Sequence, residues 1–268
     1  MDGTGRTTGQ SGWEVPRVAF PAEVAAEGAV SAGVAAEGAE PAEAGEIFSI
    51  QGEEVERKKE ERAIESLVNH LKEKLGEKLL SVLVYGSFLT RDYRPGLSDI
   101  NIVVIVSDLT AEDLFSLKKK IIPLATRYQL KPFFFTPEFV RRSTDSFPLE
   151  WQAIKNCHRV IYGQDLVETL LINREDMRRQ LEREIKQNYL NFQQGLLFRR
   201  NPREVLTEAL KSWKILERHL TEIVPHLKEK LPPVNLALPD RRDVAIRCEE
   251  YLAFLKKLVE LIDRTGQL

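Results

Sequence analysis

The chain reads as an α/β half with flanking helices, followed by an all-α helical half. Three observations carry that reading. Two apolar runs, Leu79–Tyr85 and Ile102–Val106, stand on either side of a glycine-serine turn. A third run, Leu130–Phe135, comes after a stretch of helical character. From Arg174 onward the apolar residues recur at helical spacing and the strand signals stop.

Taken in order, residues 1–52 are rich in Gly, Ala, Glu and Pro, with few large apolar side chains. They read as a disordered low-complexity tail. The hexapeptide Val24–Ala29 recurs as Val34–Ala39, which is repetition without a packing face. A helix is expected over Glu53–Leu75, where Ile64, Leu67, Val68, Leu71 and Leu75 form a stripe and Gly76 ends it. Ile102–Val106 is unbroken β-branched sequence, the pattern of a strand buried on both faces. Thr110 and Asp113 form a capping-box-like start to a helix reaching about Tyr128, which Pro123 is expected to kink or split. Lys118, Lys119 and Lys120 read as its solvated face. Short helices are expected at Pro137–Arg142 and Phe147–Asn156, and an edge strand at Arg159–Gly163.

In the second half, Met177, Leu181, Ile185, Phe192 and Leu196 make one stripe. Leu206, Leu210, Trp213, Leu216 and Leu220 make another, entered through Asn201-Pro202 as N-cap and first position. Asp240 precedes a last helix carrying Val244, Cys248, Tyr251, Leu252, Leu255, Val259 and Ile262. The boundaries drawn on this basis are 1–52 for the tail, 53–171 for the α/β domain and 172–268 for the helical domain.

The 268 residues carry a formal net charge of −2 with 30% charged residues, well mixed, which argues against a dedicated nucleic-acid binder. The two cysteines, Cys157 and Cys248, have no metal-ligand spacing, so a reducing compartment is the expectation. No apolar run has the length of a membrane span and the first residues show no signal pattern. The expected location is the cytoplasm.

The chemistry centres on Gly86-Ser87 and Ser98-Asp99-Ile100-Asn101. Gly86 permits a sharp turn and close approach of a ligand, and backbone N–H groups that open a helix there favour phosphate. Ser87 adds a hydroxyl. Asp99 begins the next strand at the same end of the sheet, where a hard cation such as Mg²⁺ takes oxygen ligands and bridges to phosphates. Arg91 and Arg94, in the intervening loop, are candidates for neutralising phosphate charge.

Tyr85-Gly86-Ser87, an eleven-residue spacer and Asp99-Ile100-Asn101 resemble the signature of the DNA polymerase beta-like nucleotidyltransferase superfamily, in particular its small bacterial and aminoglycoside-modifying members. The resemblance covers about residues 60–171. It implies a mixed sheet with flanking helices and an NTP held by two divalent metals on carboxylates. It also implies transfer of a nucleoside monophosphate to a hydroxyl acceptor, which the sequence does not name.

Gly86, Ser87, Arg91 and Arg94 would then bind nucleotide, and Asp99 and Asn101 would stand at the catalytic and metal-ligand positions. Two features depart from the pattern. Asn101 replaces the second acid, offering one neutral oxygen and no charge. The third acid is missing, and Lys131 falls near its position. Two close Mg²⁺ ions need anionic ligands to offset their repulsion. Two readings therefore stand: a transferase of weakened or lost activity, or an inactive nucleotide-binding or regulatory protein. In the second, the helical domain and tail serve a protein partner or a second copy.

Other candidates are weaker. Cys157 and His158 are adjacent and face different ways on a helix, so they form no catalytic pair. His70, His219 and His226 read as surface or partly buried. Glu150 reads as a helix-entry charge, with a substitute acid as the alternative. Glu184, Glu208 and Glu217 sit on ordinary amphipathic helices, and none stands out.

Overall fold

The computed structural model describes residues 43–265 with the exception of 92, 238 and 241, and side chains from residue 55 to residue 264. The expectations for residues 1–42 lie outside the described residues. The first helix, α1, spans Glu43–Leu75, so it starts ten residues ahead of the expected Glu53. The added residues, Glu43–Gly52, include Gly45 and Gly52 and continue the Gly- and Ala-rich composition of the stretch before them, so the sequence does not mark that start.

The sheet has four strands: β1 (Leu79–Tyr85), β2 (Ile100–Val106), β3 (Leu130–Phe135) and β4 (His158–Gly163). Their order is β3-β2-β1-β4. β1 runs antiparallel to β2 and β4, while β2 and β3 are parallel, so the sheet is mixed as expected. Every residue of β2 is buried, which is what its β-branched run requires. Pro132 has no N–H to give a ladder, and β3 is an edge strand where that omission is tolerated.

Alternation along the strands divides the sheet into two faces. Val82, Val84, Ile102 and Val104 pack with Ile64, Leu67 and Leu71 of α1 and with Leu117 of α2 (Ala111–Tyr128). A reciprocal Thr110–Asp113 capping box opens α2, and a single helix runs through Pro123 rather than two. The other face, with Leu83, Tyr85, Val103, Ile105 and Phe135, packs on α3 (Pro137–Arg142) through Val140 and on α4 (Pro148–Asn156) through Trp151 and Ile154.

The helical half comprises α5 (Arg174–Phe198), α6 (Pro202–Ile223), a single turn α7 (Pro225–Lys228) and α8 (Val244–Thr265). Its core joins Leu181, Ile185 and Phe192 with Trp213, Leu216 and Leu220 and with Tyr251, Leu255 and Ile262. Trp213 meets Phe254 edge-on with ring centroids 4.6 Å apart. Each such buried side chain contributes about 2 kcal/mol through area removed from water. His219 belongs to this interior rather than the surface, and burial pushes its imidazole down to about 4. Leu149 of α4 also joins this core, and its N–H donates to Gln180 Oε1 of α5 at 3.1 Å. No helix among the described residues is long and apolar enough to cross a membrane.

Candidate functional site

Gly86 turns the chain out of β1 at a φ of +82°, a conformation that L side chains rarely adopt. The chain then makes a single 3₁₀ turn, Gly86–Leu89, rather than a longer helix. The Gly86 N–H donates to Cys157 O at 3.2 Å. That group is therefore committed to the fold and is not free for a phosphate. Ser87 is buried.

α1 braces the turn from below. Arg57 Nη2 donates to Phe88 O at 2.9 Å, and its guanidinium lies 5.4 Å from the Phe88 ring centre. Tyr93 packs edge-on against the same ring at 4.9 Å. Gly96 N–H donates to Glu60 Oε1 at 3.2 Å, and burial raises the Glu60 carboxyl above its ordinary value. Arg91 and Arg94 are exposed on this loop. The Arg94 N–H donates to Ser98 Oγ, and its carbonyl accepts from Leu97 and Ser98.

The strand registers bring four polar residues into one row. Lys131 is opposite Asn101, Asn101 opposite Tyr85, and Tyr85 opposite His158. Directly paired residues share a face, so the row Lys131–Asn101–Tyr85–His158 crosses the whole sheet on the side of α4. Asn101 is 0% exposed, and neither its amide nitrogen nor its oxygen has a partner. The Tyr85 hydroxyl is also buried without one. Burial, and then the Glu150 charge, raise its pKa. At the open end of the row, Lys131 Nζ stands 4.0 Å from Asp99 Oδ1, with the two side chains 50% and 39% exposed.

This donor set does not fit a pair of divalent metals. It consists of one carboxylate, one buried neutral amide and one ammonium. Among the described residues no group of three His, Cys, Asp or Glu ligands converges on Asp99. Mg²⁺ carried by Asp99 and Asn101 alone would lack the negative charge that such a centre needs.

Beside the row lies a carboxylate pair that the sequence pattern does not single out. Gln180 Nε2 lies 2.9 and 2.8 Å from the two oxygens of Glu150 and 2.7 Å from Glu184 Oε1. Burial raises both carboxyls, and together with the Glu150 charge it pushes Glu184 up to about 7. In sequence Glu150 reads as a helix-entry charge and Glu184 as one acid among several. The contact spans α4 and α5, and no local spacing signals it.

No protein-family description matches the chain, and no curated protein does. Among solved structures, the chain is similar to a spectinomycin adenyltransferase from Enterococcus faecialis, crystallised with ATP and spectinomycin. The two share 17% sequence identity with a TM-score of 0.45, over 73% of this chain and 98% of that one.

Proposed function

We propose that this chain is a nucleotide-binding protein of nucleotidyltransferase type that holds its ligand's phosphates with fixed cations and does not transfer a nucleotidyl group. The approach of Lys131 to within 4.0 Å of Asp99 carries the reading. An ammonium there supplies the positive charge that a metal otherwise provides, and the same ammonium repels a metal from Asp99.

The pair is half-exposed and loose, worth at most about 1 kcal/mol, so Lys131 can exchange its carboxylate for a phosphate. Arg91 and Arg94 extend the positive charge along the loop. Asn101 supports the same reading: a neutral buried amide can hydrogen-bond a ligand or a water, but it cannot balance a second Mg²⁺. A protein that binds nucleotide without turnover acts on something else. The helical domain, proposed to span residues 172–268, is the surface through which bound nucleotide would be reported to a partner.

Calorimetric titration with ATP and with GTP, each with and without Mg²⁺, tests this on wild type and on Asp99→Ala. The expected result is binding that needs no Mg²⁺ and that Asp99→Ala leaves equal or stronger, because the substitution removes a negative charge beside the phosphates. Mg²⁺-dependent binding abolished by Asp99→Ala would reinstate the metal-using transferase.

A further inference from the structure

α2 is apolar on two sides. Leu117 faces inward, buried with Ile64 and Leu67 of α1. Phe115, Lys119 and Ile122 recur at i, i+4 and i+7, so they make one stripe on the opposite side of the helix. Phe115 is 74% exposed and Ile122 49%. Leu114, also exposed, borders the stripe beside Lys118. From Leu114 to Tyr128 the helix has four cations and no acid. Its two acids, Glu112 and Asp113, stand in the first turn, and Asp113 is held there by the Thr110 cap and by Lys78 at 2.9 Å. Lys118, Lys119 and Lys120 are exposed, and among the described residues no ion pair holds them. A helix face that only meets water mixes both signs of charge. Bare apolar side chains set among charges of one sign instead make a surface for a partner that is apolar and acidic.

The chain itself contains such a segment. Residues 18–56 hold nine glutamates and no Lys or Arg, whereas residues 57–268 hold 37 Lys and Arg against 30 Asp and Glu. Charge is thus segregated along the sequence, the pattern of an acidic arm attached to a basic body. The two hexapeptides Val24–Ala29 and Val34–Ala39 each combine a valine and alanines with one glutamate, and Phe20 precedes them.

The attachment point favours this occupant. α1 packs beside α2. Lys78, just beyond the end of α1, meets Asp113 at the start of α2, so α2 runs back along α1 toward the end where residues 1–42 join it. At 1.5 Å per residue along the two helices, the stripe lies about 30–40 Å from Glu43. An extended chain covers that in about a dozen residues, and residues 18–42 supply more than that.

We propose that residues 18–42 dock on the outer face of α2, their apolar side chains covering Phe115 and Ile122 and their glutamates pairing with Lys118 and Lys119. Exposed ion pairs are weak, so the apolar cover contributes most of the contact and the charges set where it forms. Attachment to the same chain raises the local concentration of the segment, so a weak contact suffices. The docking stands independently of the nucleotide reading.

The test is zero-length carbodiimide cross-linking of the tag-free full chain, with the joined residues mapped by mass spectrometry. Cross-links from Glu23, Glu27, Glu37 or Glu40 to Lys118, Lys119 or Lys120 are expected on the monomer-sized product, in clear excess over links to the exposed Lys58, Lys211 and Lys257. In full-length Phe115→Ser/Ile122→Ser the yield is expected to fall about fivefold, because the apolar cover is lost. Both side chains face outward, so the variant is expected to keep the wild-type circular dichroism and melting temperature. Links spread evenly over the exposed lysines, or an unchanged yield in the double variant, would overturn the proposal. Links confined to a dimer-sized product would overturn it too, and assign the face to a second copy of the chain.

Discussion

Gln180 has two amide hydrogens and three carboxylate oxygens within 3 Å of the nitrogen that carries them. One amide cannot satisfy two ionised carboxylates in a partly buried place, so the pair gains from holding a proton. That sets the direction for stability. Glu184 is pushed up to about 7 in the fold from an ordinary value of 4.5, so ionising it favours the unfolded chain. Stability that is full below about pH 4.5 falls as pH rises through about 7, by about 3 kcal/mol at the outside. Glu184→Gln keeps an oxygen for Gln180 and removes the charge. The variant is expected to melt above wild type at pH 8 and with it at pH 4, as thermal unfolding at the two values checks. That Lys131 falls near the third acid position of the resemblance is legible in the sequence, counted back from Thr136-Pro137, whereas its pairing with Asn101 comes from the sheet register. The Glu150–Gln180–Glu184 cluster is not legible, because Glu150 and Gln180 are 30 residues apart on elements whose patterns are each complete without the other.

Among the elements, β4 depends most on a single backbone position. Gly163 ends it at a φ of +80°, and a Cβ there would lie 1.9 Å from Leu80 O of β1. No side-chain rearrangement relieves a clash with main chain, so Gly163→Ala must move the strand. A loss of about 2 kcal/mol or more is expected in denaturant unfolding. Restored stability in Leu80→Ala/Gly163→Ala is not expected, since the obstructing atom is a carbonyl oxygen. Elements with local chemistry at their ends are well marked in the sequence: the Thr110–Asp113 box and the Asn201-Pro202 entry both rest on residues adjacent to the helix they start. The start of α1 is poorly marked, because Gly45 and Gly52 give its first ten residues the composition of the stretch before them. Pro123 does not split α2: one missing N–H leaves the rest of the helix continuous.

At the scale of the molecule, α4 joins the two halves. Its Trp151 and Ile154 close the sheet face that carries the polar row, while its Leu149 enters the helical core. Unpartnered Asn101 and Tyr85, and the Glu150–Glu184 pair, therefore collect at the junction, whereas Asp99 and Lys131 stand at its open edge. The α/β-then-α architecture is legible because buried strands and amphipathic helices write different periods into the chain. The chemistry of the junction depends on which side chains meet across it, and that emerges only from packing. In the proposed reading Lys131 takes the place of a metal at the phosphates. Its most direct test is the ATP affinity of Lys131→Ala against wild type, both in excess EDTA. Wild type is expected to bind under these conditions and the variant to bind about tenfold more weakly or worse, a loss of about 1.4 kcal/mol. Equal affinity in the two proteins, or wild-type binding that appears only when Mg²⁺ replaces EDTA, would contradict it.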